Sequence, residues 1–285
     1  TEEERAALIA LLSGPRPALD ATQPAIARVL QFLFAADEDF ATEYVLPLFR
    51  DADSAVLAWH SYLYSPRWDD KLLAAGLLGS LNEQWDRLNQ LGDRGHQQQF
   101  FGLVTAIVSW AGIDAESRHA LLTQSVIGAN GAHAVDFAAT VGRFLSEESV
   151  DGAQIWGRWL RQHMTDRLNG VPRTAAPDEL VRWANLVPHL GDAVPEAVAL
   201  LSGRGIGFDD EWFSLDIPEP TLQVHGAALV GHFVERLTNT PTVSMVLAHR
   251  LQRLVDTFRT TLGDAEAQPL IDAARGRGIA DDDSD

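Results

Sequence analysis

His225 and His232 stand seven residues apart, and Glu235 follows three later, in the run His-Gly-Ala-Ala-Leu-Val-Gly-His-Phe-Val-Glu. Two helical turns separate the histidines, so they share a face about 10 Å apart by helix rise. That is too far for one metal without a third element, and no His-Glu-x-x-His motif occurs. The spacing reads as ordinary helix positions. The rival reading is a metal-dependent hydrolase in which His225, His232 and Glu235 act with the carboxylates Asp209, Asp210 and Glu211. Those carboxylates lack the twelve-residue calcium-loop pattern and fit a solvated loop better. Gly203-Arg204-Gly205-Ile206-Gly207 resembles a phosphate loop only in its glycines. A phosphate cradle needs a strand before it and a helix N-terminus after it. Here a helical pattern precedes and an acidic run comes after, so a helix C-cap leading into a loop is the better reading. No Gly-x-Ser-x-Gly elbow offers a serine nucleophile. No catalytic residue, metal ligand or cofactor site emerges from these patterns.

Aromatic residues form the remaining candidate surface. Trp59, His60, Tyr62, Tyr64 and Trp68 make the densest aromatic cluster, and Trp156 and Trp159 pair at i, i+3 with Arg158 and Arg161 beside them. Aromatics at this spacing usually pack a core. Trp, Tyr and Arg also dominate protein interfaces, so Trp59, Tyr62, Tyr64, Trp68, Trp156, Trp159, Arg158 and Arg161 are the candidate interaction residues.

The elements that would position these groups are helical. Ala7, Leu8, Leu11 and Leu12 repeat at helix spacing before Gly14-Pro15. Thr22-Gln23-Pro24 predicts a helix start, with Ile26, Val29, Leu30 and Leu33 on one face. A helix over 37–49 is expected to kink or end at Pro47. One over 51–64 carries Ala55, Val56, Trp59, Tyr62 and Leu63, and one over 68–91 contains Gly76 and Gly79, which weaken it or permit close packing. Further helices are expected at about 96–111, 115–127, 131–147, 150–168, 177–190, 193–202, 221–238, 242–262 and 265–275. Strand signals are scarce. The expected fold is all-α: stacked antiparallel hairpins in an irregular HEAT-like α-solenoid of about a dozen helices. Its expected parts are a helical array over 1–202, an irregular loop or junction over 203–220, C-terminal helices over 221–276 and a disordered acidic tail over 277–285.

Composition narrows the function classes. The 285 residues carry 22 Lys+Arg against 40 Asp+Glu, a formal charge of -18, which argues against a cationic phosphate track and hence against nucleic acid as the main partner. No cysteine is present, so disulfides, thiolate catalysis and zinc–thiolate sites are excluded. The apolar share of 46% is too high for a disordered acidic chain. The longest apolar run, Phe100 to Gly112, is too short to span a bilayer. The chain opens on Thr1 without a basic or apolar leader, which reads as a piece of a longer protein. One lysine, Lys71, against 21 arginines fits a GC-rich bacterial genome and a cytoplasmic location.

One segment carries a resemblance. Leu46-Pro47-Leu48-Phe49, then Ala55-Val56-Leu57-Ala58-Trp59-His60-Ser61-Tyr62-Leu63-Tyr64, then Arg67-Trp68, resembles an uncharacterised helical family found C-terminal to sirtuin-like domains in bacterial proteins, some of them anti-phage. The similarity covers roughly 46–73. It implies an NAD-consuming enzyme domain on the N-terminal side and a sensing or scaffolding role for this part. The sirtuin glycine-rich motif is absent and Gly128-Ala-Asn-Gly-Ala-His133 does not replace it, so no catalytic residue carries over. The expected function is therefore a non-catalytic, C-terminal protein-interaction or regulatory module, its partner a protein or the rest of its own chain. The alternatives are the metal-dependent hydrolase and an oligomerisation platform.

Overall fold

The computed structural model describes residues 2–12, 16–209 and 217–279, with residues 16–21 as backbone alone. The described residues are all-helical, with helix over 77% and no strand among them. Among the described residues the helices number about 15 rather than a dozen, because several expected long helices are broken into pieces. The chain forms two compact units, Thr1–Phe137 and Ala138–Asp285, divided inside the helix Ala134–Leu145.

Aspartates start many of these helices. The side chains of Asp37, Asp69, Asp93, Asp114 and Asp151 each accept the backbone N–H three residues on, at 2.7–3.1 Å. Ser244 does the same for Leu247. Each satisfies a donor that the first helical turn leaves open, and each carboxylate also meets the positive end of the helix dipole. Part of the acidic surplus therefore organises helices.

The breaks have local causes. Pro47 cannot donate to the ladder, and the predicted helix over 37–49 resolves into a turn of α-helix at Glu38–Phe40, a π segment at Ala41–Val45 and a 3₁₀ segment at Leu46–Phe49. The predicted helix over 68–91 is interrupted at Gly76, whose φ of 142° is open to glycine and strained for other residues. Its carbonyl accepts from Nη2 of Arg50 at 2.9 Å, and Nε of Arg50 donates to Ser80 Oγ at 3.0 Å. Gly76 is thus needed for its backbone angle and Gly79 for close packing, since Gly79 lies directly under the Arg50 guanidinium. The second helix differs from expectation at its start. It runs Arg16–Arg28, so Pro24 lies inside it and costs one ladder bond rather than opening it.

The first unit is built around a chain of aromatic rings. Trp59 meets Phe49 edge-on at 4.9 Å and Phe100 at 5.6 Å, and Trp85 meets Phe100, Phe101 and Phe137 at 5.1, 5.6 and 5.6 Å. Such pairs add about 0.5–1.5 kcal/mol each beyond the area they bury. In the second unit His163 bridges Trp159 and Trp183 at 6.0 and 5.0 Å. Phe208, Phe233 and Phe258 form a second cluster there.

The stretch 203–220 lies within the second unit, and its described part is anchored. Gly203, at φ 73°, closes the helix Val194–Leu201 and donates its N–H to Glu235 Oε1 at 2.7 Å. Phe208 is buried, and its N–H donates to Thr240 Oγ1 at 2.9 Å. Residues 210–216 lie outside the described part. Residues 277–279, the first of the expected tail, are held in place: Arg277 donates to the carbonyls of Thr238 and Thr240, and Ile279 is buried. The acidic residues beyond 279 lie outside the described part. No helix among the described residues is long and apolar enough to cross a membrane.

Candidate functional site: an exposed aromatic–arginine patch beside a stacked histidine pair

The helix Arg16–Arg28 packs along the helix Ala55–Tyr62. Ile26 and Ala27 on the first helix and Trp59 and Tyr62 on the second are buried. Just past the C-terminal end of each helix, large side chains stay at the surface. Phe32, on the helix Leu30–Ala36, is 61% exposed, and Tyr64, two residues past its helix, is 63% exposed. Two arginines cover them crosswise. Arg28 stands over the Tyr64 ring at 5.9 Å and Arg67 over the Phe32 ring at 5.5 Å. Val29, between Arg28 and Phe32 in the chain, is also exposed. Among the described residues neither Arg28 nor Arg67 forms an ion pair.

Tyr64 joins this patch to a histidine pair. Its ring meets His60 at 6.2 Å and His96 at 5.4 Å, edge-on to both. The imidazoles of His60 and His96 stack at 3.6 Å between centroids, 22° from parallel. His60 belongs to the last turn of its helix, while His96 sits in the first turn of the helix Arg94–Trp110. Asp93 caps that helix and holds His96 twice. Oδ1 accepts the His96 backbone N–H at 2.9 Å, and Oδ2 lies 2.7 Å from Nδ1. These bonds, the backbone one foremost, keep the Asp93 carboxyl below the usual carboxylate range. An ionised carboxylate can only accept, so Nδ1 is the ring nitrogen that donates to Asp93 and Nε2 is the one turned away from it. Nε2 is buried and has no hydrogen-bond partner among the described residues. Among those same residues, His60, Asp93 and His96 are the one group of three metal-type side chains, with ligand atoms within 4.8 Å of one another.

The sequence-derived candidates divide differently from expectation. Trp59, Tyr62, Trp156 and Trp159 are buried, so they are core and not surface anchors. Helical spacing puts them on inward faces, and polar atoms of three of them are used internally. Trp59 Nε1 donates to Phe49 O at 3.1 Å, Tyr62 Oη to Arg67 O, and Trp156 Nε1 to Glu196 Oε2 at 2.7 Å. Trp68 is half-buried; Tyr64, Arg158 and Arg161 are exposed, and Arg161 pairs with Glu196 at 2.8 Å.

The constellation His225, His232, Glu235 and Asp209 is not assembled. His225 lies 3.6 Å from Asp192, Glu235 holds the chain at 202–203, and Asp209 pairs with Arg182 at 3.1 Å. His232 is buried with Nε2 3.4 Å from the Ala184 carbonyl. Burial, reinforced by the nearby Arg236 charge, lowers its pKa to about 3, so it is neutral at pH 7. Asp210 and Glu211 lie outside the described residues. Arg236 stacks over Phe208 at 4.2 Å and donates twice to the Gly207 carbonyl. These contacts hold the loop and give it a structural role.

Sequence reasoning named Tyr64 and missed Phe32, Arg28 and Arg67, because a helix break at Val29 sets which residues face out. It also missed the histidine pair. Asp93-x-x-His96 carries a local capping signal, but nothing in the chain announces that His60 meets it. No known protein family, curated protein or solved structure matches the chain.

Proposed function

We propose that the chain is a non-catalytic helical interaction module, and that its contact surface is the patch of Phe32, Tyr64, Arg28 and Arg67. The observation that carries this reading is the pairing of two largely exposed aromatic rings with two arginines that form no ion pair among the described residues. Aromatics and Arg are the residues that concentrate binding energy at protein interfaces, and an exposed apolar group rimmed by charge marks such a site. The net charge of -18 taken alone suggests basic or neutral partners, but the local charge at the contact surface decides which partner fits there. The patch is locally cationic, so the partner surface it fits is apolar and acidic: a helix or extended segment bearing Leu or Phe beside Asp or Glu.

The module works by differential affinity: a partner that prefers one state of an attached or neighbouring domain shifts that domain's population. The resemblance of residues 46–73 supports a sirtuin-like, NAD-consuming neighbour in a bacterial defence protein. A solenoid-like stacking of hairpins within the units is the architecture this reading favours. Binding measured with paired peptides tests it. An acidic amphipathic peptide is expected to bind, and its Lys-substituted counterpart to bind at least about tenfold more weakly. Equal binding of both would remove the charge argument.

A further inference from the structure

We propose that His60 and His96 bind a divalent transition-metal ion of the imidazole-preferring class, Zn²⁺ foremost, with Asp93 as the residue that positions His96. Three observations carry the assignment together. First, the ligand atoms of His60, Asp93 and His96 already lie within 4.8 Å of one another. Second, Asp93 Oδ2 lies 2.7 Å from Nδ1 of His96, which fixes the ring and the direction in which Nε2 points. A carboxylate–histidine–metal relay of this kind fixes the tautomer and raises ligand basicity. Third, that Nε2 is buried without a partner, on a residue 8% exposed, although an unmade bond at a buried polar atom is costly.

The geometry requires only local movement. Ligand atoms of a tetrahedral zinc centre stand about 3.4 Å apart, given bonds of about 2.0–2.1 Å to nitrogen. The rings now stack nearly parallel, so a shared ion requires His60 to turn out of the stack; His60 is half-buried in the last turn of its helix, where that turn involves its own side chain. Tyr64 covers both imidazoles edge-on and is itself largely exposed, so it can swing aside. Solvent or a partner's side chain completes the coordination. Imidazole ligands select Zn²⁺, Ni²⁺ and Cu²⁺ over Mg²⁺ and Ca²⁺, which prefer oxygen.

Calorimetric titration of the full chain with Zn²⁺ alone, after chelator treatment, tests the assignment. One tight equivalent is expected, with no comparable heat for Mg²⁺. His60→Ala and His96→Ala should each weaken binding at least about tenfold, while His119→Ala, at a histidine elsewhere in the chain, should not. Asp93→Asn keeps the helix cap, so its melting temperature should stay at the parent value while affinity falls about 10–100-fold. Copper EPR should show nitrogen hyperfine structure in the parent that His60→Ala diminishes. His60→Ala alters a half-buried ring, so its circular dichroism spectrum should match the parent's. A flat parent titration, or an affinity unchanged in a folded His60→Ala chain, overturns the assignment. Loss of binding in Asp93→Asn only in step with lost stability overturns the positioning role.

Discussion

His60 and His96 stack ring on ring at 3.6 Å from two different helices, and Asp93 holds the second ring at its far edge. The arrangement couples a helix start to a side-chain site, since one carboxylate serves both. Asp93→Ala should therefore lower the melting temperature and also free the His96 ring, seen as averaged imidazole resonances by NMR. A variant that lost stability while the ring stayed fixed would show that stacking alone orients His96.

The ion pair of Arg167 and Glu179 is buried on both sides, at 2.6 and 3.0 Å. Arg167 also donates to the carbonyls of Val171 and Arg173, and Trp183 Nε1 donates to Glu179 at 3.3 Å. Both charges are deeply engaged, so removing one member strands the other. Arg167→Met is expected to cost about 3–5 kcal/mol in urea unfolding, whereas Arg167→Met with Glu179→Leu should recover much of it. A cost below about 1 kcal/mol for the single change would mean that water reaches Glu179.

Two glycines give opposite expectations. A Cβ on Gly152 would overlap the His189 carbonyl oxygen and stand 2.9 Å from Cα of Leu190, both backbone atoms that cannot step aside. Gly152→Ala should destabilise by about 1–3 kcal/mol or more. A Cβ on Gly157, by contrast, meets nothing within 4 Å. Gly157→Ala should stabilise by about 0.5–1 kcal/mol through helix propensity. Chemical denaturation of the two variants checks both signs.

His232 makes stability depend on pH in a stated direction. Its ordinary value of 6.5 applies to the unfolded chain, and burial lowers it to about 3 in the folded one. Below 6.5 the unfolded chain takes up a proton that the folded chain refuses. The stability this residue preserves above pH 6.5 is thus lost progressively as pH falls toward 3, at up to about 1.4 kcal/mol per pH unit. His232→Gln should show a shallower fall than the parent when unfolding midpoints are compared across that range. Parallel curves would mean that the ring is protonated while folded.

Helix existence was legible in the sequence because apolar spacing of three and four is a local signal that survives without tertiary context. Residues 115–127 and 193–202 read as helices and fold as Ala115–Ile127 and Val194–Leu201. Helix interruptions were legible only where a residue type forces them, as at Pro47. Gly76 gave a warning of packing, but its partner Arg50 comes from another part of the chain. The sites were less legible for the same reason. Spacing marks an aromatic as facing one way, yet Trp59 and Tyr64, both aromatic and five apart, end up on opposite sides of the burial boundary. Which side holds the core is decided by the helix Arg16–Arg28 and by Phe100, both remote in sequence.

If the patch is the contact surface, the double variant Phe32→Ala/Tyr64→Ala should lose affinity for an acidic amphipathic peptide. Both rings are exposed, so the variant should fold and melt as the parent does. Its dissociation constant should rise about 30-fold or more, as for interface residues that carry most of the binding energy. Amide shift changes on the parent should be confined to residues around Arg28, Phe32, Tyr64 and Arg67. An unchanged dissociation constant in a folded double variant would contradict this placement of the contact surface.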